Sequence, residues 1–243
     1  MTDEGATTGD VLVTDGLTKS FGGITAVDGL DLSIGSGELV GLIGPNGAGK
    51  TTTLNLVTGF LLPSGGMIRF NGEDVTGERP NELSRRGVGR TFQISKPFGR
   101  LSVYENMLVP NVPYGPAERE ERIRTLLAEL SLDHVAENRA DEISGGQKKL
   151  LELARVLMLD PDLVLLDEPA AGVNPALMDE IMEDIKRINA GGTAILVIEH
   201  DMSVIEELCE RVVVMNAGRN IMTGTFEEVR ADERVRDAYL GGT

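Results

Sequence analysis

Three short stretches of this chain carry residue types at spacings suited to phosphate chemistry. The first, Gly44-Pro45-Asn46-Gly47-Ala48-Gly49-Lys50-Thr51, fits the pattern G-x-x-x-x-G-K-[ST]. It directly follows an apolar run and precedes a helical one that closes at Gly59. Its glycines let successive backbone N–H groups point inward, and with the N-terminus of the following helix these donors form a site for a di- or triphosphate. Lys50 is expected to reach the β- and γ-phosphates as a point charge and the Thr51 hydroxyl to bind Mg²⁺, with Thr52 beside it in the phosphate-binding set. An ordinary glycine-rich strand-to-helix turn would not need the lysine and threonine.

The second stretch, Leu163-Val164-Leu165-Leu166-Asp167-Glu168-Pro169, places two carboxylates at the end of an apolar run. Open α/β sheets bind their ligands at that end of a strand. Asp167 is expected to hold Mg²⁺, directly or through water, and Glu168 to take a proton from a water attacking the terminal phosphate. By itself the pair would only end a strand before proline; beside a phosphate loop, the catalytic reading is preferred. The third stretch, Ile143-Ser144-Gly145-Gly146-Gln147, has the spacing of a capping box that starts a helix of about fifteen residues. Two glycines in a first turn cost about 1 kcal/mol each relative to alanine. A phosphate approaching the helix N-terminus would give a reason for the bare backbone.

The elements that must position these residues alternate between short apolar runs and helical patterns, the form of an α/β protein with a largely parallel sheet. Residues 39–43, 163–166, 193–198 and 212–215 are continuous and β-branched, as buried parallel strands are. Residues 11–15 and 29–34 read as an antiparallel edge, and Asn216-Ala217-Gly218 as a hairpin turn. Between 116 and 159 the pattern is helical: Ile123, Leu126, Leu127 and Leu130 form one apolar stripe, and the charges of 118–124 form a solvated face. Thr225 with Glu228 fits a capping box, as does Ser102 with Glu105.

At 243 residues and 41% hydrophobic content, the chain suits a single large domain. It holds no apolar run near the roughly 18 residues that span a bilayer. The acidic, polar opening MTDEGATTGD is expected to be a disordered start over residues 1–10 rather than a signal peptide. The single Cys209 can form no internal disulfide, in keeping with a reducing compartment. A net charge of −16 argues against a nucleic-acid-binding surface, which needs a basic patch. With only six lysines among the 23 basic residues, the composition also suits solubility in high salt.

Together the motifs resemble the ATP-binding cassette family over residues 11–241. The resemblance makes 44–51 a Walker A loop, 163–168 a Walker B strand with its catalytic glutamate, and 144–147 a signature motif. It makes Gln93, in Arg90-Thr91-Phe92-Gln93, a Q-loop residue that touches Mg²⁺ and the attacking water, although a polar loop residue would look the same. His200 matches the switch histidine at the γ-phosphate. Phe21 sits where the family stacks a ring on adenine; an ordinary core phenylalanine is the equal alternative. Asn174 lies in the D-loop where aspartate is usual, and with Pro175 it also fits a plain N-cap. Ile143 replaces the signature leucine. His134 matches no motif and reads as a surface residue.

The resemblance implies a P-loop NTPase fold: a RecA-like core with its β edge over about 11–92 and 159–243, and a helical subdomain over about 93–158. It implies ATP and Mg²⁺ as cofactors. It implies a head-to-tail dimer with a second such ATPase, identical or related, in which each ATP lies between one Walker A loop and the other signature helix. Transmembrane permease subunits would hold the pair at the cytoplasmic face of the membrane, with an extracellular solute-binding protein acting indirectly. Five segments, Arg90-Thr91-Phe92-Gln93-Ile94, 102–106, 168–175, 199–202 and 235–241, are similar to the branched-chain amino acid importer branch, and lipopolysaccharide-transport ATPases share some of them. Soluble cassette proteins acting on DNA or ribosomes usually carry two cassettes or a long coiled coil, and neither is present. A weakly hydrolysing regulatory subunit would not need intact Glu168 and His200, and an unrelated P-loop kinase or GTPase would not explain 144–147.

Overall fold

The computed structural model describes residues 9–240. Two 12-residue strands, β1 (Asp10–Phe21) and β2 (Ile24–Gly35), open the chain as an antiparallel pair. Then come β3 (Leu39–Ile43), α1 (Lys50–Val57), β4 (Gly65–Phe70), β5 (Glu73–Asp74), α2 (Pro80–Arg86) and β6 (Val88–Arg90). The middle of the chain is helical, with α3 (Val103–Met107), α4 (Pro116–Glu129) and α5 (Gly145–Leu157). It ends with β7 (Leu163–Asp167), α6 (Pro175–Ala190), β8 (Ala194–Ile198), α7 (Met202–Leu208), β9 (Arg211–Asn216), β10 (Arg219–Gly224), α8 (Phe226–Ala231) and α9 (Glu233–Leu240).

Two sheets result. The first is antiparallel in the order β2-β1-β4-β5, and the second runs β10-β9-β3-β8-β7-β6, parallel except for the β9–β10 hairpin. Every residue of β3, β7 and β8 is buried. Their side chains alternate between two cores: Val164 and Leu166 pack with the helices of the middle region, while Leu163 and Leu165 pack under α1 and the antiparallel sheet. A strand apolar on both faces reads as an unbroken run, which is why these were legible without alternation. Because β3, β6, β7 and β8 run parallel, the loops that follow them emerge at one edge.

Several expectations needed adjusting. Asp10, placed in a disordered start, is paired with Gly35 in β1, and Gly9 O accepts from Ser36 N; residues 1–8 lie outside the described residues. Thr193 precedes β8, which begins at Ala194. Residues 116–159 are not continuously helical: after α4 come a single 3₁₀ turn, Asp133–Val135, and an irregular stretch up to Ser144, the N-cap of α5. The apolar periodicity shows which faces pack, not where helices stop. The turn at 216–218 joins β9 to β10 with left-handed Ala217 and Gly218 (φ 48° and 83°), as a tight hairpin requires. Ser102 and Glu105 form a reciprocal capping box, and the buried Asn106 amide binds Phe98 N and the Phe98 and Ser102 carbonyls, fixing the loop that follows Gln93.

Candidate active site

Residues 44–49 turn the end of β3 into the start of α1. At Gly44 a Cβ would meet Met215 O at 2.1 Å, and at Gly49, with φ 104°, it would meet Ala26 O at 2.4 Å. Side chains are therefore excluded by neighbouring backbone, not only by turn geometry. Gly49 is also the N-cap of α1 and offers no side-chain acceptor, leaving first-turn N–H groups for another partner. Lys50 is buried and lies back along the loop, its Nζ donating to Gly44 O (2.6 Å) and Pro45 O (3.1 Å). Burial pulls its pKa down while the Glu168 and Asp167 carboxylates push it up. Asn46, Gly47 and Thr51 are exposed at the rim, with Ala48 buried beneath and Thr52 half-buried.

Asp167 ends β7 and is buried; its Oδ2 lies 3.2 Å from an Arg90 guanidinium nitrogen, each side chain less than a tenth exposed. Arg90 also donates to Asn55 Oδ1 of α1 and to Oγ1 of its C-cap Thr58, and Phe60 and Phe92 lie 5.6 and 4.8 Å from its guanidinium. It thus ties β6, β7 and α1 together. Burial raises the Asp167 pKa and Arg90 pulls it back. In the sequence Arg90 stands only as part of a motif, since nothing local reveals a partner 77 residues away.

Glu168 has φ 53°, a left-handed conformation uncommon outside glycine. Its backbone is held by Glu168 N donating to Ile198 O (2.9 Å) and by Lys149 Nζ donating to Glu168 O (2.7 Å). Its carboxylate accepts from Gln93 Nε2 at 2.7 Å, and His200 Nε2 lies 3.0 Å from the other oxygen. Gln93, Glu168 and His200 therefore converge. Buried Glu199 accepts from Ala170 N (2.7 Å) and His200 N (3.2 Å), locking the loops after β7 and β8 to each other; sequence reading gave it no role. Thr51, Gln93 and Asp167 line one groove of about 710 Å³. Their hydroxyl, amide and carboxylate oxygens suit Mg²⁺, which binds through one or two carboxylates plus phosphate and water. The described residues contain no cluster of three or more His, Cys, Asp or Glu that would form an all-protein cage.

Ser144 caps α5 in a reciprocal box, its Oγ accepting from Gln147 N (3.2 Å) and its N donating to Gln147 Oε1 (2.9 Å). The bare backbone expected for an approaching phosphate divides in two. A Cβ on buried Gly146 would lie 1.8 Å from Leu177 Cδ2 of α6, so a larger residue there would have to push the end of that side chain aside, whereas Gly145 faces open space. His134 is exposed, as expected, but stands beside the motif with its Nε2 3.4 Å from Gln147 Nε2. Among the described residues no hydrogen bond joins 144–147 to 44–51. Phe21 is 45% exposed at the end of β1, with Lys19 Nζ 5.1 Å from its ring, so it is not a core residue. Asn174 caps α6, its Oδ1 accepting from Leu177 N at 3.0 Å.

The chain matches the family model for ABC transporter over residues 27–171 and that for branched-chain amino acid ATP-binding cassette transporter over 219–243. It is 36% identical to a probable branched-chain amino acid transport ATP-binding protein LivG of Archaeoglobus fulgidus, covering 95% of each chain. It is also 36% identical to the lipopolysaccharide export system ATP-binding protein LptB of Haemophilus influenzae, covering 95% of this chain and 97% of that protein. Among solved structures it resembles a nucleotide-free ATP-binding cassette from an ABC transporter (TM-score 0.86, 34% identity, 95% and 98% covered). It also resembles a dimeric post-hydrolysis ATP-binding cassette bound to ADP and Pi (TM-score 0.79, 25% identity, 88% and 98% covered). A phosphate loop, a strained carboxylate held by glutamine and histidine, and agreement along nearly the whole chain lead to one conclusion: this chain belongs to the ABC transporter family of ATP-binding cassettes and is an ATPase.

Proposed function

We propose that this chain is the ATP-hydrolysing subunit of an importer for branched-chain or other amino acids or small amides, working as half of a two-site dimer. The convergence of Gln93 and His200 on the strained Glu168 carries the hydrolytic reading. The C-terminal match over 219–243 and the LivG likeness favour amino-acid import over lipopolysaccharide export, despite the equal identity to LptB.

In this reading the loop N–H groups of 44–49 and the first turn of α1 hold the phosphates, and Lys50 exchanges its bonds to Gly44 O and Pro45 O for phosphate oxygens. Exposed Phe21 stacks on adenine. Thr51, Asp167 and Gln93 would hold Mg²⁺, which neutralises charge on the phosphates as the terminal P–O bond breaks. Gln93 positions the attacking water and Glu168 accepts its proton, with His200 at the γ-phosphate. Exposed Ser144 and Gly145 and half-buried Gln147 face a nucleotide held by a second ATPase subunit, and Gly146 supports them through α6; Asn174 lies alongside at the D-loop.

We further take residues of about 93–158 to be the helical subdomain. The groove beside Gln93, with exposed Phe92, Ile94 and Val109 on its walls, then receives an apolar segment of a permease. No described helix is long and apolar enough to cross a membrane, so membrane attachment falls to that partner. Light scattering after size exclusion tests the dimer: the Glu168→Gln chain is expected to pass from monomer to dimer with Mg-ATP. Failure to bind Mg-ATP at all would sink the reading, and binding without self-association would assign the second half-site to a different ATPase.

A further inference from the structure

Lys149 and Glu152 stand three residues apart on α5, on one side of the helix. Neither belongs to the phosphate motifs, yet each bonds to backbone at the hydrolytic centre. Lys149 Nζ donates to Glu168 O at 2.7 Å, and Phe92 N, next to Gln93, donates to Glu152 Oε1 at 3.0 Å. Both side chains are half-buried; burial lowers the Lys149 pKa and raises that of Glu152. A helix needing only to pack would fill these places with apolar residues at less desolvation cost.

Glu168 shows what such a tie achieves. A residue with a Cβ at φ 53° is strained and keeps that conformation only while its surroundings impose it. The charge-assisted bond from Lys149 imposes it on the carbonyl side, opposite the Glu168 N to Ile198 O bond. On the other arm, Glu152 fixes the Thr91–Phe92 peptide, one residue before Gln93, whose side-chain amide holds the Glu168 carboxylate. The same helix begins at Ser144, so both ties lie within about two turns of the signature residues.

We propose that Lys149 and Glu152 are positioning residues for hydrolysis: they tie the signature-bearing helix to the base and to the Gln93 loop, so that a shift of α5 at one nucleotide changes the alignment of Glu168 at the other. This rests on Glu168 being the base and Ser144 facing the partner's nucleotide. A rigid helix carries a displacement from its N-terminus to its second turn without loss, and each tie ends on backbone, where a small shift redirects a whole side chain.

The test compares full-length Lys149→Met, Lys149→Arg and Glu152→Ala with wild type. Mg-ATP affinity is read with a fluorescent ATP analogue, kcat and KM by phosphate release, and amide hydrogen exchange without nucleotide at 91–94 and 167–171. Lys149→Met and Glu152→Ala are expected to lower kcat about tenfold or more while ATP affinity stays within about twofold, and Lys149→Arg to recover most of the loss. Exchange should rise at 167–171 in Lys149→Met and at 91–94 in Glu152→Ala. If wild type turns over only with a partner ATPase, exchange alone decides. Unchanged exchange in those segments, or a kcat loss that Lys149→Arg leaves in place, would overturn the ties. A wild type that binds no Mg-ATP would instead overturn the reading on which they rest.

Discussion

The hydrolytic edge of the sheet and the start of α5 are built in opposite ways. At the sheet edge the three carboxylates have partners in the same chain: Asp167 on Arg90, Glu168 between Gln93 and His200, Glu199 across two loops. At the start of α5, among the described residues, the Ser144 and Gln147 side chains bond only to each other's segment and to His134, while Gly145 opens onto free space. The first region is cross-linked by side chains from distant parts of the chain, and the second is a cap closed by its own neighbours. Under the proposed function, such a chain would carry a whole base and half of a binding surface, the division of labour a two-site dimer needs.

Removing the base should separate the two regions most sharply. Glu168→Gln is expected to lower kcat by about 10³-fold or more while Mg-ATP binding persists, measured by phosphate release and nucleotide titration. Retained turnover would break the contrast at its centre. Next in size is Arg90→Met, which leaves Asp167 buried and unpaired and should cost about 3 kcal/mol in denaturant unfolding at pH 8. The cost should shrink as pH falls, because burial already raises the Asp167 pKa and a protonated carboxyl needs no cation. A pH-independent loss would mean that Arg90 acts through packing alone.

The two signature glycines sharpen the other side of the comparison. Gly146→Ala must displace the end of the Leu177 side chain and should destabilise the fold by about 1 kcal/mol at most, with recovery in the Gly146→Ala/Leu177→Ala double variant. Gly145→Ala should leave the melting temperature unchanged or raised, since its Cβ meets nothing. Equal melting temperatures for the two single variants would remove the distinction between them.

A comparably small effect is expected away from both regions. Burial pushes the Asp184 pKa up to about 6 despite its contact with Arg187. A group whose pKa is raised in the folded chain favours folding below its unfolded pKa, and that advantage is lost as pH rises through about 6. Asp184→Asn should therefore gain about 1 kcal/mol relative to wild type between pH 4.5 and pH 7.5 in paired thermal melts. A change of the opposite sign would show that the Arg187 pairing dominates.

Much of this molecule was written in short-range patterns. The phosphate loop, the apolar strands ending in Asp167, the capping boxes at Ser102, Ser144 and Thr225 and the turn at 216–218 each depend on residues a few positions apart. Backbone sterics and local hydrogen bonding fix such features wherever the chain goes next. Hidden were contacts set by packing: Arg90 with Asp167, Lys149 with Glu168, Glu152 with Phe92, Gly146 against Leu177 and His134 beside Gln147. Phe21 is instructive, since its sequence context fitted a core ring as well as an exposed one, and only the end of β1 placed it outside.

The sequence by itself determined which chemistry the chain can perform, because hydroxyl, ammonium, carboxylate and imidazole groups at fixed spacings after strand ends are local facts. Tertiary structure decided which of them act together. Glu168 meets Gln93, 75 residues away, because parallel strands β6 and β7 pair and send their following loops out at one edge. That adjacency comes from burying both faces of the sheet, a requirement of the whole chain that no single segment records.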